Sequence, residues 1–350
     1  MSPPSAEAQL RFLANIQRLL DEGIFTATYK FALLMALADL AVEKGDDSGA
    51  PLPLATEEIA EKFVAYYWRQ GQPYVRLGSE VRSRVLRQNT GRQAKVISLV
   101  SDARGIYDAG SPRELAPDRR AALIRDVART VETMPLWKLQ VMGGEVVPFL
   151  YENLGRGHAI VLREGVAFCL RRFHALIRGL AQGAWVRFVR NLRGNRELLG
   201  ETADLSAFLF GTERAVLSAH VPILQEIQSG LCFYCRKDLR APEVDHFVPW
   251  SRYPVDLGHN FVLACRTCNG QKRDFLAAVP HLERWLRRNE DHRHTLEEQF
   301  EQHALAHSLG GSLQIARWAY GQVEQQRGSV WVAAERFEAL GAAWRKVLAA

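Results

Sequence analysis

Two C-x-x-C pairs, Cys232/Cys235 and Cys265/Cys268, constrain this chain more than any other feature of it. Four thiolates meet on one ion only if two knuckles fold back on each other, and two such pairs close the tetrahedral shell of a Zn²⁺. A redox dithiol pair is the alternative, but it lacks a thioredoxin-like setting here. The 29 residues between Cys235 and Cys265 exceed the spacing of common ribbons and fingers, so something is inserted. A closed shell of four cysteines leaves no position for substrate. The zinc is therefore expected to be structural, and any catalysis to come from the insert. In and just after the insert lie Asp245-His246, then Asn260, then Asn269 directly behind the last cysteine. The fifth cysteine, Cys169, falls in a helical stretch and reads as a small buried hydrophobe.

Asp245-His246-Phe247-Val248-Pro249 reads as a strand ending at the proline, and Asn260-Phe261-Val262-Leu263 as a second strand returning antiparallel. Cys265 to Phe275 then turns into a helix with Asn269 in or near its first turn. Adjacent strand residues point to opposite faces, so Asp245 and His246 reach one substrate only through a twist or bulge. Two strands and a helix bury little apolar surface, and the metal must largely stabilise them.

The order C-x-x-C, D-H-x-x-P, N, C-x-x-C-N-x-x-K resembles the HNH nuclease superfamily, the ββα-metal fold, in its zinc-knuckled branch. The resemblance covers roughly residues 230–275, and the third signature position is Asn269 where the family has His or Asn. It implies that His246 is the general base activating water against a phosphodiester, a role that a near-neutral pKa suits. It implies that Asp245 and Asn269 hold one Mg²⁺ or Mn²⁺, that Asn260 braces the loop and orients the imidazole, and that products carry 5′-phosphates. By the same resemblance Lys272, Arg266 and Arg273 are candidate phosphate contacts. The plainer readings stay open: Asn260 as a turn residue, Lys272 as an exposed helix residue, His259 as incidental and Glu243 as a solvated strand-end acid.

The rest of the chain reads as helical. Residues 6–44 form two helices, the second, Tyr29–Val42, apolar nearly all round. Another helix opens at Thr56-Glu57-Glu58, and residues 54–100 are compatible with a helix-turn-helix carrying Arg82, Arg84 and Arg87, or simply with a solvated basic face. Ala159–Leu162 reads as a short strand. Gly165 to Leu199 is a long helical stretch, with breaks expected at Gly179 or Gly183. Gly310-Gly311 is expected to break the chain, with helices over Ser312–Gln325 and Ser329–Leu348. His292, His294, His303 and His307 read as surface residues.

The net charge is +6, and its placement is uneven. Residues 76–95 hold six bases and one acid, and residues 156–197 hold nine arginines and two acids. The last 62 residues lean the other way, with eight acids and six bases. In the second basic stretch Arg171, Arg178 and Arg190 are candidates to track a phosphate backbone, while the aromatic residues among them read as core. No run of about 18 uncharged apolar residues exists, so no membrane span is expected. The first residues lack the pattern of a signal peptide, and a cytoplasmic setting is expected.

These readings combine into a mainly α protein, with helical N- and C-terminal regions around a small zinc-stabilised ββα-metal module. The expected division is 1–204, a recognition or regulatory region; 205–288, the module with a lead-in helix; and 289–350, a helical region. The expected partner is nucleic acid, double-stranded DNA foremost, with a protein partner at the N-terminal helices a further expectation. Phage defence or restriction enters by family association alone. Three other readings remain: a zinc-stabilised binding module without turnover, a ribonuclease, and a protein-interaction scaffold made by the helical arms.

Overall fold

A computed structural model describes residues 3–75, 84–107, 109–152, 158–199, 204–211 and 217–349. The chain divides into two compact units, Met1–Thr212 and Glu213–Ala350, and it is mainly α-helical.

The first unit is built around one buried helix. α1 (Ala6–Glu22), capped by the Ser5 hydroxyl, leads to α2 (Tyr29–Lys44), whose apolar sequence leaves fourteen of its sixteen residues buried. Around α2 pack α3 (Thr56–Trp68), α6 (Val166–Arg172) and α7 (His174–Asn191), while α4 (Lys95–Tyr107) and α5 (Pro117–Thr133) pack on α3. A two-stranded antiparallel sheet joins β1 (Leu52–Ala55) to β4 (Ala159–Leu162), and a short hairpin joins β2 (Pro73–Tyr74) to β3 (Arg84–Val85). α8 (Leu205–Phe210), which the expected division at 204/205 would assign to the zinc module, packs on α7 within this unit.

Two polar ties on α2 explain why two of the expected nucleic-acid contacts fail. Asp39 is buried, and its carboxylate accepts from Arg178 at 2.6 Å, from the Tyr66 hydroxyl at 2.6 Å and lies 2.7 Å from His174 Nε2. Burial alone would raise this carboxyl, but Arg178 and His174 hold it well below the ordinary carboxylate range. Arg171 turns inward as well, donating to the carbonyls of Ala41, Val42 and Gly45 at the end of α2 and to Asp47. Arg171 and Arg178 are therefore core ties that satisfy a helix terminus and a buried carboxylate. Arg190 is exposed.

Other expectations change here too. α7 runs unbroken past Gly179 and Gly183, and the break falls at Phe173. α3 is followed by a hairpin, so Arg84 lies in a strand and not in the second helix of a helix-turn-helix, while Arg82 lies outside the described residues.

The second unit carries the cysteines. α9 (Val221–Ile227) leads to the first knuckle, and β5 (Glu243–His246) pairs antiparallel with β6 (Phe261–Ala264) in unbroken register, from Glu243 opposite Ala264 to His246 opposite Phe261. α10 (Arg266–Lys272) follows at once, completing the ββα order. α11 (Val279–Asp291), α12 (Arg293–Gln302) and α13 (Leu309–Gln325) come next. Gly310 and Gly311 do not break the chain: they sit in the first turn of α13, where the Ser308 hydroxyl accepts from Gly311 N–H. Ser329–Leu348 is not one helix. Its alternating, β-branched and aromatic start forms β7 (Ser329–Ala333), paired with β8 (Arg336–Ala339), before the short α14 (Ala343–Leu348).

Residues beyond 288 pack in the same unit as the zinc module. Trp331 in β7 exchanges backbone hydrogen bonds with Leu276 and Ala278, and its indole lies edge-on to Tyr234 inside the first knuckle. The carbonyl of His259, just before β6, accepts from Trp285, Arg288 and Asn289 of α11.

Candidate functional site

The sulfurs of Cys232, Cys235, Cys265 and Cys268 all lie within 4.8 Å of one another, and those of Cys235 and Cys265 are 4.0 Å apart. None is in a disulfide. Sulfurs about 2.3 Å from a tetrahedral Zn²⁺ stand about 3.8 Å apart, so this cluster fits a structural zinc with little adjustment. Among the described residues no other group of three or more His, Cys, Asp or Glu residues comes together in this way, the four C-terminal histidines included. Cys169 is buried in the first unit, where burial pushes its thiol up to about 11 and leaves it inert.

Tyr234, between the first two cysteines, ties the knuckle to β5. Its hydroxyl donates to Asp245 Oδ2 at 2.5 Å. Burial, and then the neighbouring Asp245 charge, push the Tyr234 pKa well above its ordinary value, so the hydroxyl stays protonated and donates. The Lys272 ammonium pairs with Asp245 Oδ2 at 3.0 Å and donates to the carbonyl of His246 at 2.9 Å. Lys272 has no exposed surface, and Asp245 is 8% exposed. A lysine sealed in this way is not a phosphate contact. Its length lets α10 reach under β5 and satisfy the one carboxylate that the hairpin buries.

The unbroken register leaves no bulge in β5, so Asp245 faces Lys272 and Tyr234 while His246 turns to the other face. The His246 ring lies edge-on to Phe261, with centroids 4.7 Å apart, and beside Trp250 at 5.6 Å. His246 Nε2 is 2.7 Å from Asp256 Oδ1, and both side chains keep some exposure, 13% and 21%. A carboxylate only accepts, so Nε2 carries the proton and Nδ1 is left as the basic nitrogen.

Asn260 lies within the same turn of chain. Its side-chain amide grips both backbone groups of Val248, at 2.8 and 3.0 Å, and its backbone carbonyl accepts from Phe247 N–H at 2.7 Å. This clamp fixes the two residues after His246. Gly258 makes the loop possible, because a Cβ there would lie 2.6 Å from the Phe300 ring. His259 beside it is fully buried; burial first, then Arg288, His307 and Arg293, pull its pKa down to about 3, so it stays neutral.

Asn269, on α10, donates to Glu243 Oε2 at 2.8 Å. The side chains of the four expected site residues thus have different polar partners, and His246 turns to the face of β5 opposite Asp245. A divalent ion does not fit this pair as it stands, because an ammonium already occupies the Asp245 carboxylate. Arg266 and Arg273 are exposed on either side of Asn269. Sequence reasoning missed Asp256, an acid in an otherwise ordinary loop, and undervalued Glu243. The only signal for Asp256 is its place four residues before Asn260, inside the insert.

Comparison with known proteins gives two matches. Residues 9–209 match the family model described as Domain of unknown function (DUF8808), and residues 232–275 match the model described as HNH endonuclease. No curated protein and no solved structure matches the chain. The second match spans both knuckles, the hairpin and α10, and the first lies wholly within the first unit. The chain therefore belongs to the family described as Domain of unknown function (DUF8808), and its second unit carries an HNH endonuclease domain with a four-cysteine cluster suited to a structural zinc.

Proposed function

We propose that the chain is an endonuclease that hydrolyses phosphodiester bonds in nucleic acid, double-stranded DNA foremost. The contact between His246 Nε2 and Asp256 carries this reading, in the loop that the HNH match includes. Asp256 fixes the ring and its tautomer, and Nδ1 takes the proton from an attacking water. Phe261 and Trp250 restrict the ring from its sides, and Asn260 holds the chain that follows it. Arg266 and Arg273 supply exposed positive charge to a phosphate backbone. Zinc at the four cysteines supplies the frame and no chemistry. The family resemblance implies Mg²⁺ or Mn²⁺ in addition.

One observation favours a second reading, a zinc-stabilised binding module without turnover: Lys272 already neutralises Asp245. Supercoiled plasmid separates the two. Offered with Mg²⁺, with Mn²⁺ and with no added ion, the wild type is expected to nick it, and His246→Ala to lose at least about 100-fold of the rate. Unchanged nicking by His246→Ala would end the assignment of the base. Binding without nicking by the wild type would establish the second reading. RNA offered under the same conditions tests the choice of polymer.

A further inference from the structure

Two basic stretches that lie a hundred residues apart in sequence meet on the first unit. Asn195 is fully buried and joins them. Its Oδ1 accepts from Arg87 N–H at 2.7 Å, and its Nδ2 donates to the carbonyls of Arg87, at 2.9 Å, and Val189, at 2.8 Å. The next residue back deepens the join: a Cβ at Gly194 would lie 2.5 Å from Arg87 Cδ, so the arginine stem lies across a glycine. One residue further out, Gln88 accepts from the Trp185 indole of α7 at 2.9 Å. Residues 84–92 are thereby laid against the end of α7 and the turn after it. The side chains left outside are Arg84, Arg87 and Arg92 from one segment and Arg190, Arg193 and Arg196 from the other, all six exposed. Residues 84–92 and 190–197 contain one acid, Glu197, which lies 3.8 Å from Arg84.

We propose that these two segments, stapled by Asn195, form one surface on the first unit that takes the phosphate backbone of nucleic acid. The proposal rests on the nuclease reading for the identity of the polyanion, and it places a substrate-holding surface in a unit whose family description assigns none. Arginine is well matched to phosphate, because its planar fork pairs with two oxygens at once. The two segments that carry them are already tied together by buried amide bonds at Arg87, Gln88 and Asn195, so little backbone order is lost on binding. The surface takes the place of Arg171 and Arg178, which the core has claimed, with neighbours that sequence alone does not associate.

The test uses the full chain, zinc retained, with no added divalent ion, and follows anisotropy of a labelled 30-base-pair duplex across salt concentrations. Arg92→Gln/Arg193→Gln/Arg196→Gln is expected to weaken binding about 10-fold or more near 0.1 M salt. The slope of log K against log salt is expected to become shallower by about 2–3, as three lost phosphate contacts require. The control is Arg11→Gln/Arg119→Gln/Arg129→Gln, which removes the same charge from exposed arginines paired with acids on this unit. It is expected to change the slope by less than about 1. Unchanged affinity and slope in the first triple variant, an equal loss in the control, or no duplex binding by the wild type would each overturn the proposal. So would binding to phosphatidylserine vesicles that the first triple variant loses while duplex binding stays intact. Cleavage keeps the two claims apart. If the proposal holds, the triple variant raises KM and leaves kcat as in the wild type; a wild type that binds with a steep salt slope and never cuts removes the nuclease reading and leaves the surface standing.

Discussion

Asp256 and Lys272 are the two residues whose roles the structure changes most. Asp256 gives the His246 ring a fixed partner at 2.7 Å. Asp256→Asn keeps the shape but offers an amide that can donate as well as accept, so the wrong tautomer becomes accessible. The expected result is a fall in kcat of about 100-fold with KM little changed, checked by steady-state cleavage of a labelled duplex. Asp256→Glu should recover part of the loss; equal loss in both variants with unchanged melting would point to some other role for the carboxylate. Lys272 makes a structural claim. Lys272→Met leaves Asp245 buried without its counter-charge and should cost about 3–5 kcal/mol in denaturant unfolding of the second unit. Pairing it with Asp245→Asn should restore most of that loss, because then neither charge is buried. No recovery in the double variant would mean that the ion pair does more than neutralise.

The elements show where sequence is sufficient and where it is not. The two strands and helix α10 are legible in their order because cysteine spacing and the apolar runs agree, although β5 ends at His246 and not, as expected, at Pro249. α2 is legible for a simpler reason, an apolar sequence with two exceptions in its body, Lys30 and Asp39. The partners of Asp39 are not legible, since an arginine that reaches a buried carboxylate on another helix has the same local signature as one that reaches solvent. Arg171 and Arg178 mislead on that account. The hairpin β7–β8 escapes a helical reading of Ser329–Leu348 because the period there shifts from 3.6 to 2. Zinc acts at this scale too. The cysteine cluster and Tyr234 hold β5 against α10, and removal of the metal should release them together. Chelation with a strong zinc ligand is expected to abolish the cooperative melting of the second unit, followed by near-UV circular dichroism, and readdition of Zn²⁺ to restore it. A second unit that melts unchanged without zinc would show that α11 and α13 suffice as its core.

At the scale of the whole molecule, the two family matches correspond to two physical bodies, one within Met1–Thr212 and one within Glu213–Ala350. The positive charge divides between them. Arg266 and Arg273 stand beside the hairpin, while the stapled arginines stand on the first unit. No helix among the described residues is long and apolar enough to cross a membrane. The second body is much larger than residues 232–275, which its family match covers. The loop with Asp256 and Asn260 is gripped from α11 through the His259 carbonyl, its glycine is seated against Phe300 of α12, and the knuckle tyrosine leans on Trp331 of β7. A transplant of this HNH domain into another protein would therefore fail if it were cut at the edges of the recognisable motif. The smallest portable piece runs from α9 through α14, and a graft ending at residue 275 would carry every signature residue and none of the masonry that aims them.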